Sequence, residues 1–471
     1  MRSLASFIIA TLLIFSCRKE SFTNSSDAFL QTSVDTLHFD TVFTTTGSIT
    51  QFVKIINTNS KGVRISSVEL KGGVSSPFKI NVDGLPGPIV NSIDIEGNDS
   101  TYMFVTVSIN PATTNLPFVV RDSVEINYNG NKQVIQLEAY GQNAHFFRNR
   151  NINANEIWNN DLPYVILGAL TVNEDAELTI NKGCRIYVHA DAPIIINGTL
   201  NVLGEQYDST KVVFTGDRLD DPYRDFPASW PGILFTNTSS NNLIKYGIIK
   251  NAYQAVVVTE PVVNANPKLT LSETIIDNAY DIGLIGVNSS ITARNLLVSN
   301  CGKNIMLVKG GNYQFTHCTV ASISNNYVQH KDPVLLVSNF LKENNVVISR
   351  DLSVTFTNCI FWDEGSTKKN EIEFAKNSGA TFEVTFDHVL WKMETPPSND
   401  LARIIGTPIN DSPQFDSINT QSRYYSFRLK DDSPAVNKGL NTIVNIDLDG
   451  NSRPKPAGKL PDLGAYENQQ Q

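Results

Sequence analysis

Hydrophobic and polar positions alternate in short runs along most of this chain, and turn residues separate the runs. Between residues 30 and 142 the runs are Thr36–Val42, Ile49–Asn57, Val63–Leu70, Phe78–Val82, Tyr102–Ile109, Asp122–Tyr128 and Gln133–Tyr140. A period of two with Gly and Asn between runs predicts half-buried strands, and this number over so short a stretch fits a two-sheet sandwich. Asn129-Gly130-Asn131 reads as a hairpin turn, because Asn and Gly tolerate positive φ. From residue 143 to about 400 the strands are shorter and they repeat. Gly168-Ala169-Leu170-Thr171-Val172 returns as Gly198-Thr199-Leu200-Asn201-Val202. Six later segments superimpose, beginning at Ile244, Leu271, Ala293, Phe315, Phe356 and Phe386, at intervals of 27, 22, 22, 41 and 30 residues. Units of this size, each too small to bury its own apolar face, predict a solenoid.

Two consequences follow from the alignment. Seven residues past the start of the first three segments stand Asn251, Asn278 and Asn300, each followed by a small residue. Stacked coils would bring these amides into a hydrogen-bonded column, as in other stacked parallel sheets. The fourth segment has Ser322 at that place, where the column would weaken or stop. The 41-residue interval reads as one coil carrying an insertion, Asn325 to Asn345, and a loop of that length is functional or disordered.

Composition narrows the class. Val, Ile, Thr, Phe, Tyr and Asn are plentiful and helix-forming runs are scarce, so the chain is expected to be all-β. Thirty-eight Lys and Arg face 47 Asp and Glu, a formal charge of −9. Without a basic stripe, nucleic acid is excluded as an expected partner.

Residues 1–17 join one positive charge to an apolar run from Ala5 to Phe15, then Ser16-Cys17, which is a secretory signal pattern. Ile14-Phe15-Ser16-Cys17 resembles a bacterial lipoprotein signal. That resemblance implies lipidation of Cys17, residues 18–29 as a tether, and a cell-envelope protein attached to the outer membrane, with its facing left open. Phe39-Asp40-Thr41-Val42, Gly47-Ser48 and Ile55-Ile56-Asn57 make the 30–142 region resemble immunoglobulin-like domains of the ASPM/SPD-2/hydin type. Such modules serve as spacers or binding units. The repeating region, 143–400, resembles the right-handed parallel β-helix of pectin-lyase-like proteins. The resemblance implies three parallel sheets, with about eight to ten coils at about 4.8 Å each. Residues 401–471, with Ser433-Pro434-Ala435-Val436-Asn437-Lys438-Gly439 and Asp462-Leu463-Gly464-Ala465-Tyr466-Glu467, resemble the tail that covers the open end of such solenoids. The expected fold is therefore a β-sandwich followed by a right-handed parallel β-helix.

Chemistry is less legible. Cys184, Cys301, Cys318 and Cys359 lack the paired spacing of a zinc site and read as buried free thiols. His38 reads as structural. His317 and His388 share the register of Asn358 at an outward position, either as a polar rung or as a strip for a sugar or for proton transfer. Asp447, Asp449 and Asn451 alternate like calcium ligands, but Ser452 and Pro454 break the loop, and a tight Asp-Gly turn is the better reading. The paired carboxylates and His and Arg partners of β-helix hydrolases do not occur together. No catalytic residue, metal or cofactor is assigned. Tyr246, Tyr253, Trp362 and Trp391 are candidates for stacking on a ligand or for the core. The resulting expectation is a membrane-tethered binding or structural module for an extended polysaccharide or an envelope partner. A polysaccharide lyase or hydrolase is the rival.

Overall fold

The computed structural model describes residues 21–469 apart from 44–48, 111–117, 262–265, 326 and 366. Cys17 and the start of the tether lie outside the described residues. The chain divides into two units between Ala144 and His145. Among the described residues there is no α-helix, only the short 3₁₀ turns Gly73–Ser75 and Tyr223–Asp225.

The first unit is a sandwich of two five-stranded sheets. One carries Leu30–Thr32, Gln51–Asn57, Ser100–Val107, Phe78–Val82 and Leu85–Gly87 in spatial order. The other carries Thr36–Phe43, Asn131–Gln142, Phe118–Tyr128, Val63–Leu70 and Ile89–Ile95. Pairing is antiparallel except between Thr36–Phe43 and Asn131–Gln142. Val53, Ile55, Ile65, Val68, Met103 and Ile135 close the core, none measurably exposed. The edge strand Ile89–Ile95 escaped the sequence pattern for a physical reason. Ser92 takes φ 59°, so Val90 and Ile93 both turn inward three residues apart and the period of two fails.

The second unit is built on one continuous 25-stranded parallel sheet wound into coils of three strands, a parallel β-helix. Each strand pairs with the equivalent strand of the next coil, so three ladders run the length of the unit. The first ladder includes Val212–Gly216, Gly247–Lys250, Ile275–Asp277, Leu297–Ser299, Thr319–Ile323, Ile360–Glu364 and Leu390–Trp391. The second passes through Ile233–Phe235, Gln254–Thr259, Leu335–Ser338 and Ile372–Ala375. The third passes through Asn242–Lys245, Leu269–Ser272, Leu352–Thr357 and Phe382–Asp387. The long strands Ile282–Arg294 and Lys303–Thr316 serve the second and third ladders in turn. The six superimposed segments pair residue for residue: Ile244 with Leu271, then Ala293, Phe315, Phe356 and Phe386. Their inward positions become columns, and Phe315, Phe356 and Phe386 stack with ring centres 5.1 and 5.2 Å apart. Cys184, Cys301, Cys318 and Cys359 are buried free thiols in this core.

Left-handed residues make two of the corners. Between the third and first ladders stand Tyr246, Glu273, Asn295, His317, Asn358 and His388, with φ between 46° and 56°. Between the first and second stand Asn251, Asn278 and Asn300, with φ of 65°, 56° and 54°. Asn tolerates this conformation better than other side chains, which explains its recurrence in register.

Two expectations need correction. The interval Asn325–Asn345 is not one loop. It contains the second-ladder strand Leu335–Ser338, flanked by an excursion at 324–334 and by an arm made of the hairpin Phe340–Glu343 and Val346–Ser349. Of the tail, expected over the open end, only the start lies there: Arg403–Ile405 adds a last third-ladder strand to Phe382–Asp387, whereas the rest runs along the flank of the first ladder. Leu297, Ala321, Ile323, Ile360 and Leu390 point outward from that ladder and pack with Phe415, Phe427, Leu429, Leu448, Leu463 and Ala465. Such a ladder is apolar on both faces and requires a cover along its length.

Candidate functional site

The asparagine column lines the floor of a small cleft of about 190 Å³. Asn251, Asn278 and Asn300 contribute the corner, and Lys250 and Asp277 precede two of them in sequence. The other walls come from distant segments: Asp225 from a long turn, Asn325 and Tyr327 from the 324–334 excursion, and Ser422, Arg423 and Tyr425 from the tail hairpin Phe415–Asn419 and Tyr424–Leu429.

The amides form a column in part. Asn278 Nδ2 donates to Asn251 Oδ1 at 2.8 Å and to the Asp225 carbonyl at 3.0 Å. Asn251 Nδ2 donates to the Arg224 carbonyl at 2.8 Å. Asn300 departs from the expected ladder. Its Nδ2 donates to Asp277 Oδ1 at 3.0 Å, and the Ser299 hydroxyl reaches the same oxygen at 2.7 Å. A carboxylate is the stronger acceptor, so it takes the bond that the neighbouring amide would have taken. Asn300 Oδ1 accepts from the Ile323 N–H at 3.1 Å, which ties the column to the next coil. Burial pushes the Asp277 carboxyl above the usual range, against the two hydrogen bonds and the Lys250 charge that favour its ionised form.

Arg423 stands at the rim. It is 3.3 Å from Asp225, and its guanidinium lies 5.0 Å from the centre of the Tyr327 ring. The Phe226 ring meets Tyr327 at 4.9 Å. The Tyr425 hydroxyl is buried with no hydrogen-bond partner among the described residues. Two carboxyls, two cations, four amides and two phenols thus line one opening. Beside it lies a second cleft of about 640 Å³, lined by Ser324, Gln329, His330, Gly365 and Thr420 among others, and Asn325 lines both.

Of the aromatic candidates, Tyr253 alone stands at the surface, 46% exposed, and it stacks on Tyr280 of the next coil at 5.9 Å. Both follow the column asparagines by two residues. Tyr246 is a buried corner residue. Trp391 is core, edge-on to Phe386 at 5.3 Å. Trp362 packs against the cluster under the tail. Period-two reading cannot separate inward from outward aromatics at corners, where the backbone reverses hand.

His317 points outward from its coil, but it is not exposed. It is wholly buried beneath the tail, where Arg453 Nη1 donates toward its Nδ1 and Asn358 Nδ2 lies 3.0 Å from its Nε2. A neutral ring accepts from one of these donors and an imidazolium from neither. Burial first, then the Arg453 charge, holds its pKa well below the ordinary histidine value. His388 is half-buried, 2.6 Å from Asp387, and does not meet His317. His38 is exposed on the sandwich, 3.7 Å from Glu138. Asp447 accepts backbone N–H groups of Asp449, Asn451 and Glu467, so it clasps a turn.

Sequence reading missed Asp277, Tyr327, Arg423 and Tyr425. Asp277 was within reach, being the residue before a column asparagine. The tail residues gave no signal, because only the folded chain brings them to the corner.

No family model matches the chain, and no curated protein matches it. Solved structures match over short stretches. A family 123 glycoside hydrolase from Clostridium perfringens is 14% identical over 24% of this chain and 26% of its own, with a TM-score of 0.18. The ASH/PapD-like domain 7 of human CEP192 is 12% identical over 27% of this chain and 92% of its own, with a TM-score of 0.17. Pseudomonas fluorescens AlkC, bound to DNA containing an abasic site analog, is 11% identical over 24% of this chain and 31% of its own, with a TM-score of 0.16. The chain spans about a quarter of the glycoside hydrolase.

Proposed function

We propose that the second unit binds an extended saccharide along the corner between its first and second ladders. The observation that carries this reading is the cleft on the asparagine column. Fixed amides, carboxyls and cations offer donors and acceptors at close spacing, which suits a polyhydroxylated ring, and Tyr327 and Arg423 supply flat faces beside them. At about 190 Å³ the cleft falls below the usual range for drug-sized ligands, about 300–1,000 Å³, so it would take a single ring. The neighbouring cleft and the Tyr253–Tyr280 pair would carry the remainder. Lipidation of Cys17 would hold the chain at the bacterial outer membrane, with the sandwich as spacer.

One observation favours the rival reading, a glycoside hydrolase. Asp225 and Asp277 line the same cleft, and glycoside hydrolysis uses a pair of carboxyls.

The test is titration of the full chain with neutral and uronate oligosaccharides, with products assayed in parallel. Retention without new reducing ends or unsaturated products is the result expected of a binder. Arg423→Ala and Tyr327→Ala should each weaken binding about tenfold, roughly 1.4 kcal/mol. Binding that both variants leave intact, or no binding to any glycan tested, contradicts the proposal.

A further inference from the structure

The register of the asparagine column continues past Ser322. Seven residues beyond Phe356 stands Asp363, which pairs with Ser322 on the next coil. Where the column reaches Asp363, two further side chains converge on it. His330 arrives from the 324–334 excursion, and Glu371 stands at the start of the next second-ladder strand. One donor atom from each of the three lies within 4.8 Å of the others.

All three residues are buried, and the side chains of His330 and Glu371 are 1% and 0% exposed. His330 Nε2 is 2.8 Å from Glu371 Oε2, which also accepts the Val334 N–H at 3.1 Å. The other oxygen of Glu371 and the other nitrogen of His330 are equally buried and have no hydrogen-bond partner among the described residues. Lys392 donates to Asp363 Oδ1 and balances one of the two carboxylates. Glu371 meets the His330 ring, one N–H and the Asp363 carboxyl, so two carboxyls crowd one buried space. A buried carboxylate with a spare oxygen calls for a cation.

We propose that His330, Asp363 and Glu371 bind one divalent first-row transition-metal ion, and that the ion fastens the 324–334 excursion to the β-helix. One imidazole and two carboxylates match Zn²⁺ or Mn²⁺ better than Ca²⁺ or Mg²⁺, which favour all-oxygen sites. The backbone is already fixed around the site. The Glu371 N–H donates to the Lys392 carbonyl at 2.9 Å, the Leu335 N–H to the Glu371 carbonyl at 3.1 Å, and the His330 N–H to Ser324 Oγ at 3.1 Å. These bonds hold the ligands in place as outer-shell contacts do in metal sites. The inference stands apart from saccharide binding, since the ion needs no glycan.

The experiment uses the full chain, stripped with a chelator and then titrated calorimetrically with ZnCl₂ or MnCl₂, with MgCl₂ as the control. Metal content is measured by mass spectrometry. One equivalent per chain is expected, with slower proteolysis of the 324–334 excursion in its presence. His330→Gln and Glu371→Gln should each lower the affinity at least tenfold while the far-ultraviolet strand signal is unchanged. Less than a tenth of an equivalent bound overturns the proposal, and the cluster is then a clasp of two ion pairs, His330–Glu371 and Lys392–Asp363. Binding that neither substitution weakens overturns it as well.

Discussion

At the scale of single residues, hand and hydrogen bonding decide what each corner position holds. The column from Tyr246 to His388 adopts the left-handed conformation at every coil, with asparagine at two of its six places. His317 occupies this position at the coil where Arg453 and Asn358 press donors on both ring nitrogens. Its pKa is depressed in the folded chain, so the proton binds more tightly to the unfolded chain. Stability from this group is full above the unfolded value, about 6.5, and is lost as pH falls below it. Glu467, whose carboxyl burial raises to about 7 despite the Arg453 charge, pulls the other way: its cost grows as pH rises from about 4.5 to about 7. Comparison with a variant isolates the histidine. His317→Asn places in this coil the residue that its neighbours Asn295 and Asn358 already are. Thermal melts between pH 7.5 and 5 should show the wild-type midpoint falling more steeply than that of the variant. Parallel profiles would refute the argument.

At the scale of elements, the sequence was readable where a rule repeats and unreadable where contacts are distant. The six equivalent segments pair in register because every inward position meets its equivalent on the next coil. The same rule, carried one segment further, would have found Asp363. The insertion was misread because Leu335–Ser338 is a short apolar strand between two excursions, and nothing local separates it from them. The tail gave least. Phe415 and Phe427, edge-on at 5.1 Å, bury themselves against residues such as Leu297 and Ile360, and only the outward apolar positions of the first ladder hint at the need. Removing a buried phenylalanine costs about 3–5 kcal/mol. Phe427→Ala should therefore loosen the tail, seen as faster limited proteolysis between residues 411 and 469. Cleavage at the wild-type rate would mean that the cluster does not hold the tail.

At the scale of the whole molecule, each unit has its own core, and both clefts belong wholly to the second. The candidate site was half legible. Its asparagines follow from the repeat, whereas its aromatic and cationic walls come from an excursion and a tail placed by long-range packing. The asparagine column and both clefts require that equal register mean adjacency in space. Cysteine pairs test this directly, because the four native thiols among the described residues are buried. Thr270 and Thr292 are register partners on adjacent coils, whereas Gln314 is one coil further from Thr270. Neighbouring strands lie about 4.8 Å apart, within disulfide reach, and two coils double that distance. Mild oxidation should cross-link Thr270→Cys with Thr292→Cys rapidly and leave Thr270→Cys with Gln314→Cys open. Equal rates for the two pairs, or cross-linking of the second alone, would contradict the stacked register and the clefts built on it.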